Sequence, residues 1–248
     1  MGRKMMSAVS AIRKVLNSEG FGANVAGMAS VFGLKAIITI LSFALVTLAA
    51  RAFGVEAFGV YSLLFSAAGL LGVVGMFGQQ VLVMRFWSEY VAAGRADLLK
   101  GALIFSTMVC ILGSALIALP FLVWSDGAYG AGIAIAATSY LVGLAIVMTS
   151  AHLVRTAVGV AIGDGYANIL LSLPGVIYLG LCLLNGWAPE LSTLFGVMAS
   201  GAVLSVLIHL RARRQALAAA FPEYGQAHAA FDLAAWTSDC LACFRPAL

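Results

Sequence analysis

Charge is the first thing this chain lacks. Of its 248 residues only 10% are Asp, Glu, Lys or Arg, whereas an ordinary soluble domain carries about 25%. So few ionic groups cannot coat a water-soluble globule of this size. With 62% hydrophobic residues and a mean hydropathy of +1.04, much of the surrounding solvent has to be a bilayer. Cysteine is also sparse. Cys110 and Cys182 sit inside apolar runs, as small core residues do. Cys240 and Cys243 form one C-x-x-C with only His228 near it, which is too little for a zinc or redox centre.

Enzyme signatures are missing as well. There is no H-E-x-x-H, P-loop or G-x-S-x-G, and His152, His209 and His228 are scattered. Gly163-Asp164-Gly165 reads as a turn, not as a phosphate cradle. Neither a catalytic residue, a metal ligand nor a cofactor is expected, so the chain reads as a non-enzyme. No basic stripe with interleaved aromatics points to nucleic acid, although the net charge is +4. No cleavable signal peptide is apparent either. Residues 1–28 are a mixed segment in which Met5, Val9, Ile12 and Leu16 recur at helical spacing, so it can lie along a membrane surface.

What is present is a series of long oily runs. A membrane-crossing helix needs about 20 mostly apolar residues. Six stretches qualify, over residues 30–50, 60–84, 101–124, 130–151, 167–184 and 191–210. The expected fold is therefore all-α, a polytopic bundle of about six transmembrane helices over residues 29–214. Residues 215–248 form a polar linker and a short, interrupted apolar tail.

The connections alternate in charge. One side carries Arg3, Lys4, Arg13 and Lys14, then Arg85, Arg95 and Lys100, then Arg155, then Arg211, Arg213 and Arg214. The other side carries Arg51 with Glu56, Asp126 and Glu190. Positive loops stay inside, which predicts both termini in the cytoplasm. Dropping any one helix would leave basic loops on both sides, so charge and hydropathy agree on an even number.

Several residues inside or beside these runs are candidates for function. Gly69, Gly72, Gly75 and Gly78 recur every third position, a strip suited to close helix packing or to helix flexing. Gln79 and Gln80 are costly in a span unless paired. They either line a polar cavity or bond to neighbouring helices. Lys35, Arg51, Arg85 and Arg155 flank the runs. Each is either an interfacial anchor or a ligand for an anionic group, for which the planar donor fork of Arg is suited. Pro120 and Pro174 permit kinks.

Two stretches carry a resemblance to a family. Leu48 to Leu63 reads L-A-A-R-A-F-G-V-E-A-F-G-V-Y-S-L, and Gly78 is followed by V-M-R-F-W-S-E-Y from Val83 to Tyr90. Over residues 33–103 this resembles the start of the polysaccharide-biosynthesis flippases, in the superfamily that also holds the multidrug and toxin extrusion transporters. The match lies in the order of these residues at two helix boundaries. The resemblance implies a bacterial inner-membrane protein that moves an undecaprenyl-pyrophosphate-linked oligosaccharide between leaflets. It also implies two six-helix lobes that rock about a central cavity, of which this chain supplies the N-terminal one. Lys35, Arg51 and Arg85 would then hold the pyrophosphate, with Gln79 and Gln80 near it. A second lobe would begin near Trp236, where this sequence instead runs T-S-D-C-L-A-C-F-R-P-A-L. That departure is expected to reflect truncation or a frameshift. Two alternatives of other kinds stand beside this reading: a non-transporting membrane scaffold of a polysaccharide assembly complex, and a cation-coupled drug exporter of the same superfamily. A membrane-bound transferase ranks last, because no cluster of acids or histidines supports it.

Overall fold

The computed structural model describes residues 19–233 and 236–237, with side chains from residue 28 onward. Among them there is no strand. In hydrocarbon every backbone N–H and C=O has to be satisfied within the segment itself, so apolar runs of this length become helices. The helices are α1 (Glu19–Gly75), α2 (Gln79–Ala92), α3 (Ala96–Tyr129), α4 (Ala131–Ala157), α5 (Tyr166–Asn185) and α6 (Leu191–Ala220), with a π turn at Ala161–Gly165 before α5. All but α2 are long and apolar enough to cross a membrane.

The first of these helices is really two crossings. Gly54 has φ 71° and ψ 177°, outside the helical region, and only glycine enters that region without strain. Contacts on either side of it show that the chain doubles back. Before the bend, Leu34 lies at Gly165 and Leu45 at Gly175. After it, Phe65 stacks on Tyr140, while Gly72 meets Leu141 and Leu144. The two halves, 19–53 and 55–75, therefore run antiparallel, and the bundle has the six crossings expected from hydropathy.

The boundaries differ in instructive ways. The second crossing was expected to continue to residue 84, but it ends at Gly75. Phe77 (φ 48°) and Gly78 (φ 73°) turn the chain there, and α2 begins as a separate amphipathic helix. The fourth and sixth crossings run past their expected ends to Ala157 and Ala220. They carry Arg155 and Arg211 to Arg214 on helical backbone, because long cationic side chains can reach the interface without the helix stopping. Residues 19–28 are helical and continuous with the helix of the first crossing. Met5, Val9, Ile12, Leu16, Cys240 and Cys243 lie outside the described residues.

Lipid gives no hydrophobic drive between helices, so close fit has to supply it. α4 is the central helix and packs on α3, α6 and the second half of α1. Along it, Tyr61, Phe65, Tyr140 and Phe195 form a ladder of rings with centroids 5.5 to 5.9 Å apart. Two glycines allow backbones to touch. A Cβ on Gly201 would strike the Leu170 carbonyl and Pro174, and one on Gly113 would strike Gly75 and Phe77. The four-glycine strip serves close packing in part. Gly75 lies against Ser114 and Gly72 against Leu144, but Gly69 faces open space, and Gly78 serves the turn.

A second cluster closes one end of the bundle. Phe86 and Tyr90 of α2 stack on each other, and the buried Trp236 donates its indole N–H to the Tyr90 hydroxyl at 2.9 Å. Leu99, Leu103, Leu153 and Leu217 fill the space around them. This end gathers Lys35, Arg85, Arg95, Lys100, Arg155, Arg211, Arg213 and Arg214. The opposite end holds Arg51, Glu56, Asp126 and Glu190. Burial raises the phenol of Tyr224 above its ordinary range, and the nearby Arg213 charge opposes that shift.

Candidate functional site

At the basic end, three elements bring charge together inside the bundle. The π turn carries one extra residue per turn, a distortion often found at functional sites. It is held by close backbone contact, because a Cβ on Gly163 would meet Arg155 N at 2.6 Å and Ala151 O at 2.7 Å. It directs Asp164 inward, where the residue is 8% exposed. Lys35 from α1 reaches the carboxylate at 3.3 Å, and Arg155 from α4 reaches the same oxygen at 3.5 Å. Arg155 Nη2 also lies 3.3 Å from the sulfur of Met84. A buried carboxylate is tolerable only when it is paired, and here two cations share one anion. The group is left with net charge +1. Lys35 turns about half of its side chain (54%) outward, and Arg155 turns about a third (32%).

The π turn is braced from α6. His209 Nε2 lies 3.1 Å from the Gly163 carbonyl, and its Nδ1 lies 2.8 Å from Ser150 Oγ. A carbonyl can only accept, so Nε2 carries a proton. In the neutral ring Nδ1 then accepts from the Ser150 hydroxyl, whose other neighbour is the Val147 carbonyl at 2.9 Å. Asn168 donates to the Asp164 carbonyl at 2.8 Å. The histidine thus fixes the backbone that presents the acid.

No family model, curated protein or solved structure matches this chain.

The residues singled out from sequence do not all meet here. Lys35 is in the cluster. Arg51 lies 16 residues further along the same helix, about 24 Å away at 1.5 Å per residue, exposed at the opposite end. Arg85 is at the basic end but exposed, with its guanidinium 3.4 Å from Glu89 one turn on. Gln79 is fully buried at the α2 start, its amide 3.5 Å from the Phe77 carbonyl. Gln80 keeps a buried carbonyl oxygen without a hydrogen-bond partner. Gly69 to Gly78 shape the second crossing and its end, not the charged cluster.

Sequence reasoning passed over Asp164, Ser150 and His209. Asp164 looked like part of a surface turn because it stands between two glycines. The signal available was an acid set less than three turns after Arg155 and directly ahead of an apolar run. Among the described residues, no three His, Cys, Asp or Glu side chains converge as metal ligands would.

Proposed function

We propose that this chain is one lobe of a membrane transporter for a lipid-linked, phosphate-bearing saccharide, seated in the bacterial inner membrane with the basic end in the cytoplasm. The observation that carries the reading is the surplus positive charge of Lys35 and Arg155 around Asp164, at the end of a crossing whose outer face is otherwise uncovered. Phe32, Ile40 and Phe43 along that face are 71%, 66% and 73% exposed. A charge facing lipid is expensive, and intramembrane cations usually face a cavity or pathway. A second lobe packed on this face would enclose Lys35 in such a cavity, and rocking of the lobes would expose it alternately, as in other two-lobed transporters. The ends of the crossings also resemble the polysaccharide flippases in sequence.

Asp164 also weighs between the alternatives. A cation-coupled exporter needs a carboxylate able to take up its ion, whereas Asp164 already has two cationic partners. That favours an anionic cargo held by the surplus cation.

The experiment is binding of undecaprenyl pyrophosphate to the purified chain in nanodiscs. A charged hydrogen bond contributes about 1.5–3 kcal/mol, so Lys35→Ala should weaken binding roughly tenfold or more. Arg51→Ala, at the far end, should leave binding unchanged. Equal binding by the unaltered chain and by both Lys35→Ala and Arg155→Ala would remove the basis of the reading.

A further inference from the structure

A second feature lies away from this cluster, between α3 and α6. Both helices lean on α4, and the furrow between them is a cavity of about 250 Å³. Its walls are mostly apolar, with Leu103, Cys110, Ile146, Val206 and Leu210 along its length. At the basic end it meets a second hollow of about 290 Å³, bordered by Lys100 and Tyr224. Leu103, Thr107 and Arg213 belong to both, so the two make one groove with a guanidinium at the junction.

Arg213 differs from its neighbours. Arg211 and Arg214 are exposed, as interfacial anchors are. Arg213 turns inward, with Nε buried and without a hydrogen-bond partner. It forms no ion pair with any described residue. Lys100 is held differently, donating to the Ala227 carbonyl at 2.9 Å and lying 5.6 Å from the centre of the Tyr224 ring. It adds positive charge at the mouth while Arg213 keeps open donors. Inside the groove the Ser106 hydroxyl is likewise buried without a partner.

The rim decides where an occupant comes from. Ile104, Met108 and Ile111 on one side, and Val203 and Leu207 on the other, are exposed apolar residues of the crossings. The furrow therefore opens sideways into hydrocarbon, with its cationic end at the headgroup level. An occupant must be oily along its length and anionic at one end, and it must arrive from within the leaflet.

We propose that this groove holds one anionic phospholipid of the surrounding leaflet. Its phosphate sits on the Arg213 guanidinium beside Lys100, and an acyl chain lies along α4 between α3 and α6. A planar fork of N–H donors suits phosphate oxygens. The inference is independent of the transport reading, which concerns Lys35 and Arg155 elsewhere.

The test places the full chain in nanodiscs of equimolar phosphatidylglycerol and phosphatidylcholine and counts retained lipids by native mass spectrometry. One phosphatidylglycerol should stay bound in preference to phosphatidylcholine. Arg213→Gln should reduce that preference by roughly fivefold or more, in line with the attraction of one basic residue for an anionic headgroup. Arg214→Gln removes the same charge from the exposed side and should leave the preference intact. Cys110→Trp fills the furrow and should abolish retention of either lipid. Val206→Phe does the same from the other wall if the first variant does not fold. Equal retention of the two lipids by the unaltered chain would overturn the proposal. So would equal losses from Arg213→Gln and Arg214→Gln, which mean diffuse attraction only, or undiminished retention with the furrow filled.

Discussion

Asp164 is, among the described residues, the one carboxylate in the buried interior, and its neighbours explain how it is tolerated. Removing its charge leaves Lys35 and Arg155 facing each other without a counter-ion. Asp164→Asn should therefore destabilise the chain by about 2 kcal/mol, less than the 3–5 kcal/mol for breaking a fully buried pair because Lys35 is half in solvent. Thermal unfolding in detergent would read this, and an unchanged midpoint would show that the pairing contributes nothing. His209 acts one step away. His209→Ala should loosen the π turn and speed amide exchange at 161–165, whereas Asn, which keeps a donor, should restore part of the protection. Single residues of this kind are poorly legible in sequence. Lys35 stood out because a cation beside an oily run has to be either an interfacial anchor or paired with an anion. Asp164 did not, because its meaning depends on Lys35, 129 positions earlier in the chain.

At the scale of helices, the contrast among glycines is open to test. Gly201 allows α6 to touch α5, so Gly201→Ala should force the two apart and cost about 1–3 kcal/mol, the usual penalty of overpacking. Gly69 faces open space, so Gly69→Ala should be neutral or stabilise by up to about 1 kcal/mol through helix propensity. Unfolding of both variants under one set of conditions would decide, and equal effects would discredit the packing assignment. Hydropathy located every crossing, because composition alone tells lipid-facing helix from turn. It misjudged the end of the second crossing because Met76, Phe77 and Val81 keep the run apolar straight through the break. The break is made by backbone conformation at Phe77 and Gly78, which oiliness does not register. The helices continuing to Ala157 and Ala220 show the converse error, since charge was taken for a terminus where the helix persists.

For the whole molecule, the separation of basic residues at one end from Arg51, Glu56, Asp126 and Glu190 at the other was readable from sequence, since it follows from counting charges between oily runs. Reporter fusions in the links near Asp126 and Glu190 should be active outside the cell, and a fusion at Gly94 should be active in the cytosol. The reverse pattern would invert the orientation and with it the proposed access to cargo made in the cytoplasm. Arg51 and Arg85 were grouped with Lys35 in sequence because all three border the first two crossings. The fold sets Arg51 apart because α1 doubles back at Gly54, placing Arg51 by the bend and Lys35 at the other membrane face, whereas Arg85 returns to the face of Lys35 but stays exposed beside Glu89.

The clasp between Trp236 and Tyr90 has a consequence for the order in which the protein is made. The two partners are 146 positions apart. At about 5–20 residues per second of synthesis, Tyr90 leaves the ribosome on the order of ten seconds before its partner. During that interval the four further helices α3 to α6 enter the bilayer while the aromatic side of α2 has nothing over it. The inner end of the protein is thus finished last, and a nascent chain halted before residue 236 should remain open to protease at α2 although its helices are already threaded.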